Sequence, residues 1–137
     1  MNAMEKVAWT EIAVSLVAIV CAIATYPWLG NSAIGWFGLL GLVVFGMAFL
    51  RKRGDNVLTD ERDTAIEKEA SDQAVRFVWM TSLLTLVVFV LVFSSRDTSV
   101  PTGYLNWLIW IQVALYFLAK GTVAIRAYRG ARHAAQG

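Results

Sequence analysis

Within "AWTEIA" and "LYFLAKGTVA" a single charge interrupts each long apolar run, Glu11 in one and Lys120 in the other. A lone charge in hydrocarbon costs on the order of 2 to 3 kcal/mol by insertion scales, unless it reaches water, changes protonation or finds a partner. Glu11 leads the series Glu11, Ser15, Ala18, Ala22 and Thr25, whose steps alternate between four and three residues and so define one helix face. Small residues on that face predict the close approach of another helix. Gln112, Tyr116 and Lys120 recur every fourth residue and form a second polar face. Lys120 precedes Arg126 by six residues, a depth like that of Glu11 in its own run, and the first and last helices of an up-down bundle are often neighbours. The expectation is a Glu11–Lys120 clamp in which each charge makes the other's burial tolerable. Proton relay is the competing chemistry, and a Glu11 that reaches cytoplasmic water is the plain one.

Other candidates carry less. Thr81, Ser82 and Thr85 give one run a hydroxyl patch. Such groups line a water path or, more ordinarily, bond to their own preceding carbonyls. His133 stands without a second histidine at ligand spacing, and Cys21 is the only cysteine. That excludes an internal disulfide and supports neither haem nor zinc. With no glycine-rich phosphate loop and no nucleophile elbow, the expectation is a protein without metal, cofactor or enzymatic activity.

These residues must be positioned by membrane helices. The chain has 137 residues, 58% of them hydrophobic and 16% charged, with a mean hydropathy of +0.57, which is too apolar for an ordinary soluble domain of this length. Spans are expected at about 7–29, 32–50, 74–95 and 104–125, each near the roughly 20 residues needed to cross about 30 Å of hydrocarbon. If both tight turns lie outside, eleven of the twelve Lys and Arg residues fall inside, Arg96 being the exception. This bias puts both termini in the cytoplasm. The fold class expected is therefore all-α: one domain, a four-helix transmembrane bundle of the prokaryotic inner membrane.

Tyr26, Trp28, Trp36 and Phe37 mark one outer interface, and Tyr104, Trp107 and Trp110 mark the other. Gly35, Gly38, Gly41 and Gly46 in the second span are expected to permit close packing inside the bundle. The net charge of +2 reflects membrane orientation rather than nucleic-acid binding.

Between the second and third spans lies the polar segment 51–73, with seven charged residues from Asp60 to Glu69. Arg51, Lys52 and Arg53 at its start, with Arg126 and Arg129 near the other end of the chain, suit the phosphates of anionic lipids. Thr59 or Asp60 caps a helix whose first turn holds Glu61 and Asp63, favourable at a positive dipole end, while Arg62 reaches an acid or lipid phosphate. Ile66, Ala70, Ala74 and Phe77 recur at helical spacing into the third span, so the third helix is expected to project into the cytoplasm. The remaining charges read as a solvated face.

"TDERDTAIEKEA" holds the pattern D-E-R-x-x-x-I-x-x-x-A at Asp60, Glu61, Arg62, Ile66 and Ala70. It resembles a broad group of small four-span prokaryotic membrane proteins of unknown function, some encoded beside helix-turn-helix regulators. The resemblance implies a signalling or sequestering role, with a cytoplasmic partner such as a transcription regulator, or a second copy of the chain, meeting Asp60, Glu61, Arg62, Asp63 and Ile66. In its four spans and its glutamate in the first, the chain is also similar to the small multidrug-resistance transporters. That likeness implies proton- or cation-coupled transport centred on Glu11, with Trp79 and Tyr116 as aromatic walls for a cation. The long charged segment and the strong Lys/Arg bias depart from that family.

Overall fold

The computed structural model describes residues 3–44, 61–96 and 99–134. Every regular element among them is helical: α1 (Ala3–Leu29), a 3₁₀ helix (Gly30–Leu39) passing into a short α-helical stretch at 40–44, α2 (Glu61–Ser95) and α3 (Thr102–Ala134). Three helical stretches are long and apolar enough to cross a membrane: Met4–Val44, Glu61–Ser94 and Thr102–Ala131.

The first of these folds back on itself. α1 tolerates Pro27 because it lies in the last turn, and Gly30 then takes φ 52°, a left-handed value that ends the helix and turns the chain. On a continuous helix, residues 11 apart are separated by about 16 Å along the axis. Here the Trp36 indole N–H donates to Thr25 Oγ1 at 3.0 Å, and Thr25 donates in turn to the Cys21 carbonyl at 2.8 Å. Phe37, Leu40 and Val43 of the returning leg are buried with Ala18 and Ala22 of α1 and with Ala114 and Phe117 of α3. Residues 45–60 lie outside the described residues, and with them the rest of the second expected span, Arg51, Lys52, Arg53 and Asp60.

α3 is the central helix. It packs against α1 on one side and α2 on the other, and its Trp107 and Trp110 meet Phe37 of the returning leg. α2 leans along α3, with Phe89 and Phe93 against Tyr104 near the turn end. From Val75 onward α2 has no buried residue among those described. Among the described residues α3 thus has both α1 and α2 as neighbours, and the returning leg packs mainly on α1. With Leu84, Val90 and Leu91 each more than three-fifths exposed, lipid is the medium in which this surface is stable.

α2 runs unbroken for 35 residues through the expected boundary between charged segment and span. Glu61 and Asp63 occupy its first turn, where acids complement the helix dipole.

Close helix approach falls elsewhere than expected. Among the described residues a Cβ added at Gly35, Gly38 or Gly41 would meet nothing within 4 Å, because Ala33, Phe37 and Leu40 form the contact face of the returning leg; Gly46 lies outside the described residues. Gly121 is the tight point: a Cβ there would sit 2.8 Å from the Ala8 carbonyl oxygen and 2.7 Å from Ile12 Cγ1. Ala8, Ala70, Ala124 and Ile125 are buried together beside it, so α1, α2 and α3 meet through small side chains.

Gly121→Ala is therefore expected to lower stability by about 1 to 3 kcal/mol, the usual cost of overpacking, since a backbone carbonyl cannot swing aside. Gly38→Ala, which points into open space, is expected to stay within about 0.5 kcal/mol of the parent. Reversible unfolding of both variants in mixed detergent micelles measures the contrast.

Candidate functional site

Gly121 sets the distance at which the neighbouring Lys120 crosses to α1. Lys120 Nζ lies 2.9 Å from Glu11 Oε1 of α1 and 3.4 Å from Glu67 Oε1 of α2. The ammonium and the Glu11 carboxylate are buried, with side chains 7% and 2% exposed, whereas Glu67, at the border of the inward face, is 39% exposed. One cation thus joins three helices, and it answers two acids rather than the one expected.

Glu11, Ser15, Ala18 and Ala22 are all buried, and Thr25 is partly so. Ser15 Oγ, one turn from Glu11, is fully buried without a hydrogen-bond partner among the described residues. The polar face of α3 turns differently from expectation. A residue step of four rotates about 40° past a full turn, so the stripe drifts by about 80° from Lys120 to Gln112. Lys120 therefore stands at the corner between α1 and α2, while the two residues above it face α2. The Tyr116 hydroxyl lies 2.8 Å from Ser71 Oγ, and Gln112 Oε1 lies 3.4 Å from Thr81 Oγ1. Thr81 also bonds the Phe77 and Val78 carbonyls at 3.0 Å, and Thr85 bonds the Thr81 carbonyl at 2.7 Å. The Thr85 hydroxyl thus serves its own helix, and the shortest contacts of Thr81 do so too.

Around the base of the site the motif residues divide. Glu61 and Arg62 are exposed, whereas Asp63 is buried, and the Tyr128 hydroxyl of α3 hydrogen-bonds to it. Ile66 is half-buried against Ala8, Ala70, Ala124 and Ile125. The inward face of α2 is thus Asp63, Glu67, Ala70 and Ala74, while Phe77, expected on that face, is 49% exposed. The acids do not all form a solvated face. Arg126 and Arg129 are exposed, and Arg129 lies 5.8 Å from the centre of the Trp9 ring. Trp79 is 64% exposed. Cys21 is a half-buried free thiol. The side chain of His133 lies outside the described residues, and among those described no group of three His, Cys, Asp or Glu residues is arranged to hold a metal.

Reasoning from sequence missed Glu67, Gly121 and the burial of Asp63. The signal was present for the acids: 63, 67, 70 and 74 alternate steps of four and three, as the α1 face does. The arrangement brings opposite charges together in an apolar setting, where each offsets the cost of burying the other.

Residues 7–126 match the profile of a family described as "Predicted membrane protein (DUF2178)". No curated protein and no solved structure matches the chain.

Breaking a buried pair by removing one partner leaves an uncompensated charge and costs on the order of 3 to 5 kcal/mol. Glu11→Gln and Lys120→Met are each expected to destabilise the protein on that scale, and the charge-swapped double variant is expected to recover part of the loss. Glu67→Gln, at an exposed partner, is expected to cost less than about 1 kcal/mol. A double-mutant cycle on unfolding free energies reads the coupling, and additive losses for Glu11 and Lys120 refute the clamp.

Proposed function

Because the chain belongs to DUF2178, a family of predicted membrane proteins, we propose that it is a non-enzymatic multi-pass protein of the prokaryotic inner membrane. It crosses four times, keeps both termini in the cytoplasm, and uses the charged end of α2 as an interaction surface for a cytoplasmic protein, such as a transcription regulator, or for a second copy of itself. The observation that carries this reading is the division of α2 into two faces. Asp63, Glu67, Ala70 and Ala74 turn toward α3 and α1, while Glu61, Arg62, Lys68, Glu69, Asp72 and Arg76 are exposed on the other side. The inward face holds the helix in place, so the outward charges stand on a rigid support. Anionic lipid at Arg126 and Arg129 fixes the same end to the membrane surface.

The four-crossing topology rests on the Lys/Arg bias and on the reversal at Gly30. Clamping by Lys120 belongs to the same reading: it orders the base of α2 without any substrate.

A second reading is proton- or cation-coupled transport centred on Glu11. It is favoured by the buried Ser15 hydroxyl, which has no partner among the described residues and lies one turn from the carboxylate. Transport in reconstituted vesicles that survives Glu11→Gln removes that residue from the mechanism.

Two measurements test the first reading. With Cys21 replaced by serine, a single cysteine at Thr102 is expected to react with a membrane-impermeant maleimide in intact spheroplasts, and one at Asp72 only after lysis; the reverse pattern inverts the topology. In pull-downs from mild detergent, Glu61→Ala/Arg62→Ala/Lys68→Ala is expected to lose partners that the parent and Glu67→Gln retain. Identical partner profiles for the triple variant and the parent overturn the interaction surface.

A further inference from the structure

The exposed charges divide by helix into two kinds of surface. On α2 the cations Arg62, Lys68 and Arg76 are interleaved with the acids Glu61, Glu69 and Asp72, all of them exposed. On α1 the two acids, Glu5 and Glu11, are buried, and α3 has no acid in its sequence. Every exposed charge described on these two helices is therefore a cation: Lys6, Arg126 and Arg129. Among the described residues none of the three lies within ion-pair distance of a carboxylate.

These cations converge on one indole. Arg129 of α3 stands 5.8 Å from the centre of the Trp9 ring of α1, a cation–π distance. Arg126 precedes Arg129 by three residues and Lys6 precedes Trp9 by three, so each shares the face of the residue that makes the contact. Because the helices run antiparallel, Lys6 lies about 4.5 Å toward the end of the molecule and Arg126 about as far toward the span. The ring restrains the Arg129 side chain and leaves its N–H donors open to a ligand. Below the charges the surface is apolar. Lys6, Trp9, Ala13, Leu16 and Val20 step alternately by three and four residues along one face of α1, and all five are exposed. A phospholipid matches both parts of that face, with its headgroup on the cations and its chains along Ala13, Leu16 and Val20; a soluble phosphate matches only the first.

We propose that the patch of Lys6, Trp9, Arg126 and Arg129 is a binding site for a phospholipid with two phosphates on one glycerol bridge, the diphosphatidylglycerol class. Charge selects this class: a single phosphodiester leaves two of the three cations unanswered, whereas two bridged phosphates reach cations on both helices. The site rests on the reading above that this end of the molecule lies at the membrane surface, and it deepens that reading by naming the lipid and its place between α1 and α3. It does not depend on which side of the membrane this end faces, so inverted labelling of cysteines at Asp72 and Thr102 leaves it standing.

The test titrates the full chain, in neutral detergent micelles, with diphosphatidylglycerol or phosphatidylglycerol of the same oleoyl chains and measures the first bound lipid by native mass spectrometry. The two-phosphate lipid is expected to bind about 5-fold more tightly than the one-phosphate lipid, the increment of one further surface charge. Lys6→Gln, Arg126→Gln and Arg129→Gln are each expected to weaken it about 5-fold, and Trp9→Leu, which frees Arg129 from the ring, about 3-fold. Arg76→Gln, which removes an exposed cation from α2, is expected to leave it unchanged. All five side chains are exposed, so the substitutions spare the core. Weakening by Arg76→Gln equal to that of the patch variants would reduce the binding to diffuse surface charge and overturn the site. Equal affinity for the two lipids, or no bound lipid, overturns it as well. The deacylated headgroup, a glycerol-bridged pair of glycerophosphates, is expected not to displace the lipid at equal concentration; displacement would identify a site for soluble phosphates and overturn the proposal.

Discussion

One ammonium group with carboxylates from two other helices around it is the constraint on which the charged end of the molecule is built. Lys120 could not stand inside an apolar helix alone, and neither could Glu11. Their 2.9 Å contact makes both tolerable, and the longer contact to Glu67 brings α2 to the same point. The pair is not a source of large net stability, because desolvation offsets much of the attraction. Its effect is on register. If any of the three helices slid by one turn, a charge would be left facing hydrocarbon.

Such a contact requires backbones that come close, and the chain supplies this with side chains of minimal size. Ala8, Ala70, Ala124 and Gly121 surround the charges, and Gly121 has no room for even one more carbon. The tyrosines extend the arrangement. Tyr128 reaches Asp63 below Lys120 and Tyr116 reaches Ser71 above it, so α2 and α3 are joined by polar contacts along the expected cytoplasmic end and by apolar and aromatic packing beyond. The helix is held firmly where it is charged. Where it is purely apolar it has one neighbour among the described residues, α3.

Much of this was legible before any coordinates. Length and hydropathy were enough for helical membrane character, and the alternating four-and-three spacing from Glu11 to Ala22 marked a face that is indeed buried. The spacing of Gln112, Tyr116 and Lys120 placed them on one stripe, but a stripe of period four winds around its helix, so residues that look aligned end up facing different partners. Glycines were harder to read. A glycine marks where a backbone could come close, not where it does; Gly35, Gly38 and Gly41 meet no neighbour among the described residues while Gly121, which drew no notice in the sequence, is in contact. The charged segment misled for a related reason. Composition says that a helix is polar, but which acids turn inward depends on a lysine more than 50 residues away.

The separation of Glu11 from Lys120, 109 residues, has a bearing on how the protein is made. At about 5 to 20 residues per second, the first helix emerges from the ribosome some 5 to 20 seconds before its cation exists. Throughout that interval a carboxylate destined for hydrocarbon has no mate. Until α3 is made, the Glu11 carboxylate lacks the ammonium that meets it in the folded protein, and water or a bound proton has to serve in its place.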